Sequence, residues 1–125
     1  MITIFVLLLL WNLTGHPESM LRELREYIAH ESWARYRDRP HLRTKVWFSD
    51  AGSMTWGALY LWDNAEARED EISSMHRVEE ITGVEPQVWR LDLEAAQRGS
   101  HDAGELTLLG HAFEEFGLPR VGHRS

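Results

Sequence analysis

The chain has 125 residues, 43% of them hydrophobic and 26% charged, enough for one domain with one core and too few for two. Thirteen basic residues against twenty acidic ones leave a net charge of −7. The arginines are interleaved with glutamates, as in Arg22-Glu23-Leu24-Arg25-Glu26, so there is no basic stripe of the kind that a nucleic acid or an anionic membrane surface requires. Without cysteine, disulfides, thiolate metal sites, iron–sulfur clusters and a cysteine nucleophile are excluded.

The first element is an apolar run over residues 1–13, MITIFVLLLLWNL. It lacks the basic flank and small-residue cleavage site of an export signal, and it is far short of the ~20 residues that span a bilayer. The expectation is a cytoplasmic protein, with this run as a central strand buried on both faces. Thr14-Gly15-His16-Pro17 then forms a turn, with a proline placed for a helix start. Met20, Leu21, Leu24, Tyr27 and Ile28 recur at three- and four-residue spacing, which predicts a helix over 18–36; Pro40 stops it.

Residues 42–48 alternate, with Leu42, Thr44, Val46 and Phe48 on one face and Arg43, Lys45 and Trp47 on the other. A Gly-containing connection over 49–53 leads into a second alternating strand, 55–62, which sets Trp56, Ala58, Tyr60 and Trp62 against Thr55, Gly57, Leu59 and Leu61. Asp63, with Glu66 three residues on, predicts the N-cap of a second helix over 64–77, with a further turn to about residue 81. Gly83 ends it, and 84–93 reads as the last strand. The order β-α-β-β-α-β is the ferredoxin-like α+β arrangement over residues 1–96, an antiparallel sheet with both helices on one face. Residues 97–125 form a C-terminal extension, with a linker over 97–104, a short amphipathic helix over 106–116 and a loose end.

Helices cover one face of such a sheet, yet the first strand is apolar on both. The uncovered face would be a large hydrophobic patch of a kind monomers rarely expose, so the pattern predicts a homodimer packed sheet to sheet.

Six tryptophans are present, and five, Trp11, Trp47, Trp56, Trp62 and Trp89, fall on predicted strands. They are either bulky core and interface residues or the walls of an aromatic cleft for a planar, largely apolar ligand. Lys45, in mid-strand, is either a solvated edge residue or a buried positive group. If buried, it would stabilise a developing phenolate or enolate, or act as a base with lowered proton affinity. The seven histidines are scattered and form no ligand pattern, so no metal is expected. His76 and Arg77 stand on a helix that should wall the cleft, although a solvated helix end is the plainer reading of the pair. No phosphate loop, nucleophile elbow or paired inward carboxylates occur, and no cofactor is expected.

The stretch Pro40-His41-Leu42-Arg43-Thr44-Lys45-Val46-Trp47, followed after a short polar loop by Trp56-Gly57-Ala58-Leu59-Tyr60-Leu61-Trp62, resembles the hairpin of the YdhR-like monooxygenases. Gly83-Val84-Glu85 and Leu91-Asp92-Leu93 are similar to that family's last strand. The resemblance covers about residues 3–96 and departs from the family at His41, where it has Gly, and at Ala58, which replaces a second Gly. It implies a dimeric α+β barrel. The group includes cofactor-free, quinone-forming monooxygenases of aromatic polyketides, haem-degrading enzymes and cyclases. The activity implied is a cofactor-independent monooxygenase, or a related proton-transfer or cyclase enzyme, acting on a planar aromatic or polyketide-like small molecule. Lys45, Trp47 and Tyr60 would be the catalytic residues, and Trp11, Asn12, Trp56, Trp62, His76 and Arg77 the substrate-binding ones. The alternatives are a non-catalytic protein that binds a hydrophobic small molecule, and a haem-binding or haem-degrading protein using Asn12, a strand-three tryptophan and His76.

Overall fold

The apolar first run becomes strand β1 (Phe5–Asn12), the third member of a four-stranded sheet. The computed structural model describes residues 2–74, 77–97, 99–100 and 106–118. Helix α1 (Ser19–Tyr27) continues through a π-helical stretch (Ile28–Ser32) into α2 (Trp33–Arg37). Strands β2 (Leu42–Asp50) and β3 (Thr55–Trp62) form the hairpin. Helices α3 (Ala65–Ser74) and α4 (Arg77–Thr82), strand β4 (Gln87–Asp92) and helix α5 (His111–Phe116) follow. The sheet order is β2-β3-β1-β4, with every neighbouring pair antiparallel. This is the expected ferredoxin-like α+β fold. Among the described residues no helix is long and apolar enough to cross a membrane.

Alternation decides what each face carries. Leu7, Leu9 and Trp11 of β1 stand beside Tyr60, Ala58 and Trp56 of β3, and all six are buried under the helices. The α1 stripe supplies Leu21, Leu24 and Ile28 to the same core. The wider π-helical turn carries that stripe on to Ser32 and Tyr36, both buried.

Three local expectations are corrected. The second helix is capped by Asn64, whose side-chain oxygen accepts the Ala67 N–H at 2.8 Å; Asp63 turns instead to His41 and Arg43. A bulge between Leu42 and Thr44 pairs Leu42 with Trp62 and Thr44 with Leu61. Leu42 therefore shares a face with Lys45 rather than with Val46. The last strand starts at Gln87, after Pro86, which has no N–H to give to the ladder. In the hairpin loop Met54 is left-handed (φ 51°).

Of the extension, α5 packs on α1. Arg25 donates to Glu115 at 2.7 Å, and Phe113 meets Trp33 edge-on with ring centres 5.0 Å apart. The linker is described only in part, and the chain end from residue 119 lies outside the described residues.

Candidate functional site

Lys45 pairs with Tyr60 across the β2–β3 ladder, and Trp47 pairs with Ala58, so Lys45 lies on the helix-covered face. Its backbone runs along an edge strand and the residue as a whole is half-buried, but the amine is turned inward. Nζ stands 3.4 Å from the centre of the Tyr36 ring, 4.5 Å from that of Tyr60 and 4.6 Å from that of Trp47. Tyr36 comes from α2, and the other two rings from the hairpin. Among the described residues Nζ has no ion-pair partner within 4 Å. Lys45 is also the chain's sole lysine; the other twelve of its thirteen basic residues are arginines.

Glu71 of α3 lies behind the cage and is almost completely buried. Its Oε2 accepts hydrogen bonds from the Tyr36 hydroxyl and, at 3.1 Å, from the Tyr60 hydroxyl. Arg39 Nη1 stands 3.1 Å from Oε1, but its N–H is not aligned for a hydrogen bond, so that contact is one of charge alone. The Arg39 guanidinium also lies over the Tyr36 and Trp62 rings.

The electrostatics follow from burial and from one carboxylate among three cations. Loss of water around the amine pushes the proton affinity of Lys45 well below the ordinary lysine range. Glu71 opposes this, while the Arg35 and Arg39 charges add to it. Burial and the neighbouring Glu71 charge push both Tyr36 and Tyr60 upward. The cage therefore pairs an amine that gives up its proton readily with two phenols that keep theirs.

Two cavities flank it. A groove of about 720 Å³ runs along β2 between the sheet and the segment 106–113, with Trp33, Trp47, Trp56, Lys45, Ile28 and Phe113 in its walls. Inside it, a chamber of about 20 Å³ is lined by Trp11, Tyr36, Lys45, Trp47 and Tyr60, among others. That is room for one molecule of water's size. The Trp11 indole N–H is buried with no acceptor among the described residues.

Of the residues singled out from sequence, Lys45, Trp47, Tyr60, Trp11 and Trp56 come together here. Three do not serve as expected. Asn12 points to the opposite face at the strand end, where its side-chain oxygen takes hydrogen bonds from Thr14 at 3.0 and 2.6 Å to close the following turn. The haem expectation loses its strand-one residue with it. Trp62 is fully buried, stacked on Tyr60 with ring centres 5.8 Å apart, and lines neither cavity. Arg77 reaches the rim of the chamber but is held by Glu31 at 3.0 Å and faces Glu80 at 3.6 Å. His76 lies outside the described residues.

Sequence reasoning missed Tyr36, Glu71, Arg39 and Trp33. Tyr36 continues the Ile28 stripe at helical spacing. Glu71 announces itself only as a charge four residues after Ala67, at a position where α3 needs an apolar one.

No known family's profile matches the chain, and no curated protein does. Among solved structures the chain is similar to the crystal structure of NE2512, a protein of unknown function from Nitrosomonas europaea. The identity is 13% and the TM-score 0.57, over 80% of this chain and 98% of that one. The likeness is one of fold.

Proposed function

We propose that this chain is a cofactor-independent monooxygenase-type enzyme acting on a planar, acidic aromatic small molecule, with Lys45 as the proton acceptor. The observation that carries the reading is the placement of the amine: a lysine turned inward, ringed by three aromatic faces, at the wall of an aromatic groove, where loss of water lowers its proton affinity. A neutral amine is a general base where an ordinary lysine is not. Once protonated, it leaves a cation facing three ring quadrupoles and the Glu71 charge, which together stabilise it.

An anthrone-like substrate would lie in the groove against Trp47 and Trp33. Lys45 takes a proton from its acidic CH₂, and the resulting carbanion is electron-rich enough to reduce dioxygen. One oxygen atom ends in the new carbonyl and the other in water, so that R₂CH₂ + O₂ gives R₂C=O + H₂O. The inner chamber is of a size for dioxygen or water, and the Trp11 N–H, which has no acceptor among the described residues, supplies a donor beside it.

The resemblance to the YdhR-like family supports the same reading. His41, which stands where that family has Gly, has φ 69°, a conformation that glycine adopts without cost. The matching homodimer would form through the open sheet face. There Val46, Phe48, Trp89 and Leu91 are 45%, 38%, 39% and 43% exposed, and Leu8, Leu10, Leu59 and Leu61 are half-buried.

The test is oxygen uptake with an anthrone as substrate. Quinone should form with the wild-type chain and not with Lys45→Met. Tryptophan quenching by the anthrone without product would support the non-catalytic binder instead.

A further inference from the structure

We infer that Lys45 is also a carbonyl-capturing amine, forming an imine with aromatic aldehydes or ketones that enter the groove. The inference rests on the reading of Lys45 as an unprotonated amine, and extends it from proton transfer to covalent capture.

Three features of the cage suit this chemistry. The amine lies against the groove with no ion pair among the described residues to hold its lone pair in reserve. Two phenols that keep their protons, Tyr36 and Tyr60, adjoin it and are joined through one carboxylate, Glu71. The three ring faces around Nζ favour a cation there. An iminium ion, more delocalised than an ammonium, places its charge among the same rings and beside the same carboxylate.

The step balances without an oxidant. The Nζ lone pair attacks the carbonyl carbon, a C–N bond forms and the C=O π pair moves to oxygen. One proton passes from nitrogen to that oxygen to give the carbinolamine. The nitrogen lone pair then closes the C=N bond as the C–O bond breaks, and the hydroxyl takes a proton from solvent in the groove and leaves as water. The remaining N–H proton returns to solvent, so that R–CHO + Lys–NH₂ gives R–CH=N–Lys + H₂O. Arginine cannot replace lysine in this role, because its guanidinium stays protonated.

The sole lysine makes the test clean, since the N-terminal amine is the other primary amine in the chain. The full chain is incubated with 6-methoxy-2-naphthaldehyde at pH 7, reduced with borohydride, digested and mapped by mass spectrometry. The expected result is an adduct on Lys45, formed at least about tenfold faster than on Nα-acetyl-lysine amide, since each unit of lowered proton affinity frees about tenfold more amine. Lys45→Arg, folded by circular dichroism, should take no label there. Labelling confined to the N-terminal amine, or labelling of Lys45 no faster than the free amide, overturns the inference. Anthrone oxidation run in parallel separates the two readings. Turnover without the adduct removes imine capture and leaves the base standing, whereas the adduct without turnover does the reverse.

Discussion

Lys45 Nζ stands 3.4 Å from the centre of the Tyr36 ring, and the phenol of that same ring is bound to the buried Glu71 carboxylate. One aromatic side chain thus gives its face to a cation site and its edge hydroxyl to an anion. The amine and the carboxylate are held close enough to feel each other's charge without forming an ion pair. An ion pair would fix the amine as ammonium, whereas an intervening ring leaves it free to exchange a proton.

Replacing Lys45 with Met removes a desolvated amine and keeps the shape of the chain. Lys45→Met is expected to be as stable as the wild type or more so at pH 7, by about 1 kcal/mol. The sign with pH follows from the lowered affinity. Between the folded-state value and the ordinary 10.5, the unfolded chain binds the proton more readily than the folded one. The wild type thus carries a penalty at low pH that is relieved as pH rises toward 10.5. Urea unfolding at pH 7 and pH 10 should show the gap between variant and wild type narrowing.

All three tyrosines of the chain, Tyr27, Tyr36 and Tyr60, are pushed above 10 by burial. A native-state alkaline titration should therefore show almost no tyrosinate absorbance at pH 10, where the urea-unfolded chain is half ionised. The stability these phenols contribute is fully present below pH 10. It is lost as pH rises through their folded values, so tyrosinate should appear together with unfolding.

Glu71→Gln keeps an oxygen for the two phenols but removes the charge that holds the Lys45 affinity up. The acid limb of the pH–rate profile for anthrone oxidation should move to lower pH in this variant, because Lys45 then loses its proton more easily. Glu71→Ala instead leaves two buried hydroxyls without their acceptor, at about 1–3 kcal/mol each, and should melt well below Glu71→Gln. A limb that moves to higher pH in Glu71→Gln would break the link between the two groups.

On the open face, the Phe48 ring packs onto Gly57 so closely that a Cβ there would stand 2.2 Å from it. Leu91→Glu, on the opposite edge strand of the same face, is expected to convert a sedimenting dimer into a monomer while leaving 2-naphthol binding in the groove, since Leu91 lines neither cavity. A wild-type chain that sediments as a monomer at high concentration would remove the homodimer from the account.

The fold was legible because β1 is one continuous apolar run, β3 and the rest of the hairpin alternate with a period of two, and the α1 stripe recurs with one of 3.6. Alternation put Lys45 and Trp47 on one side but left open which side the helices cover, and the pairing of Lys45 with Tyr60 decides it. What failed was local or distant. The bulge beside Arg43 moved Leu42 to the other face, and alternation alone cannot foresee an inserted residue. Asn12 was assigned by type, but its strand-end position gave it a turn to close. Glu71 went unnoticed because a carboxylate on a charge-rich helix looks solvated until two tyrosines from other elements are seen to meet it. Trp33 and Phe113 met only when the extension folded back onto α1, a contact with no local signal.

The most direct test is the pH dependence of anthrone oxidation by the wild type and by Lys45→Met under air. Quinone formation is expected from the wild type with an acid limb below the ordinary lysine range, and none above the uncatalysed rate from Lys45→Met. Equal rates in the two proteins, or no turnover in the wild type at any pH, would contradict it.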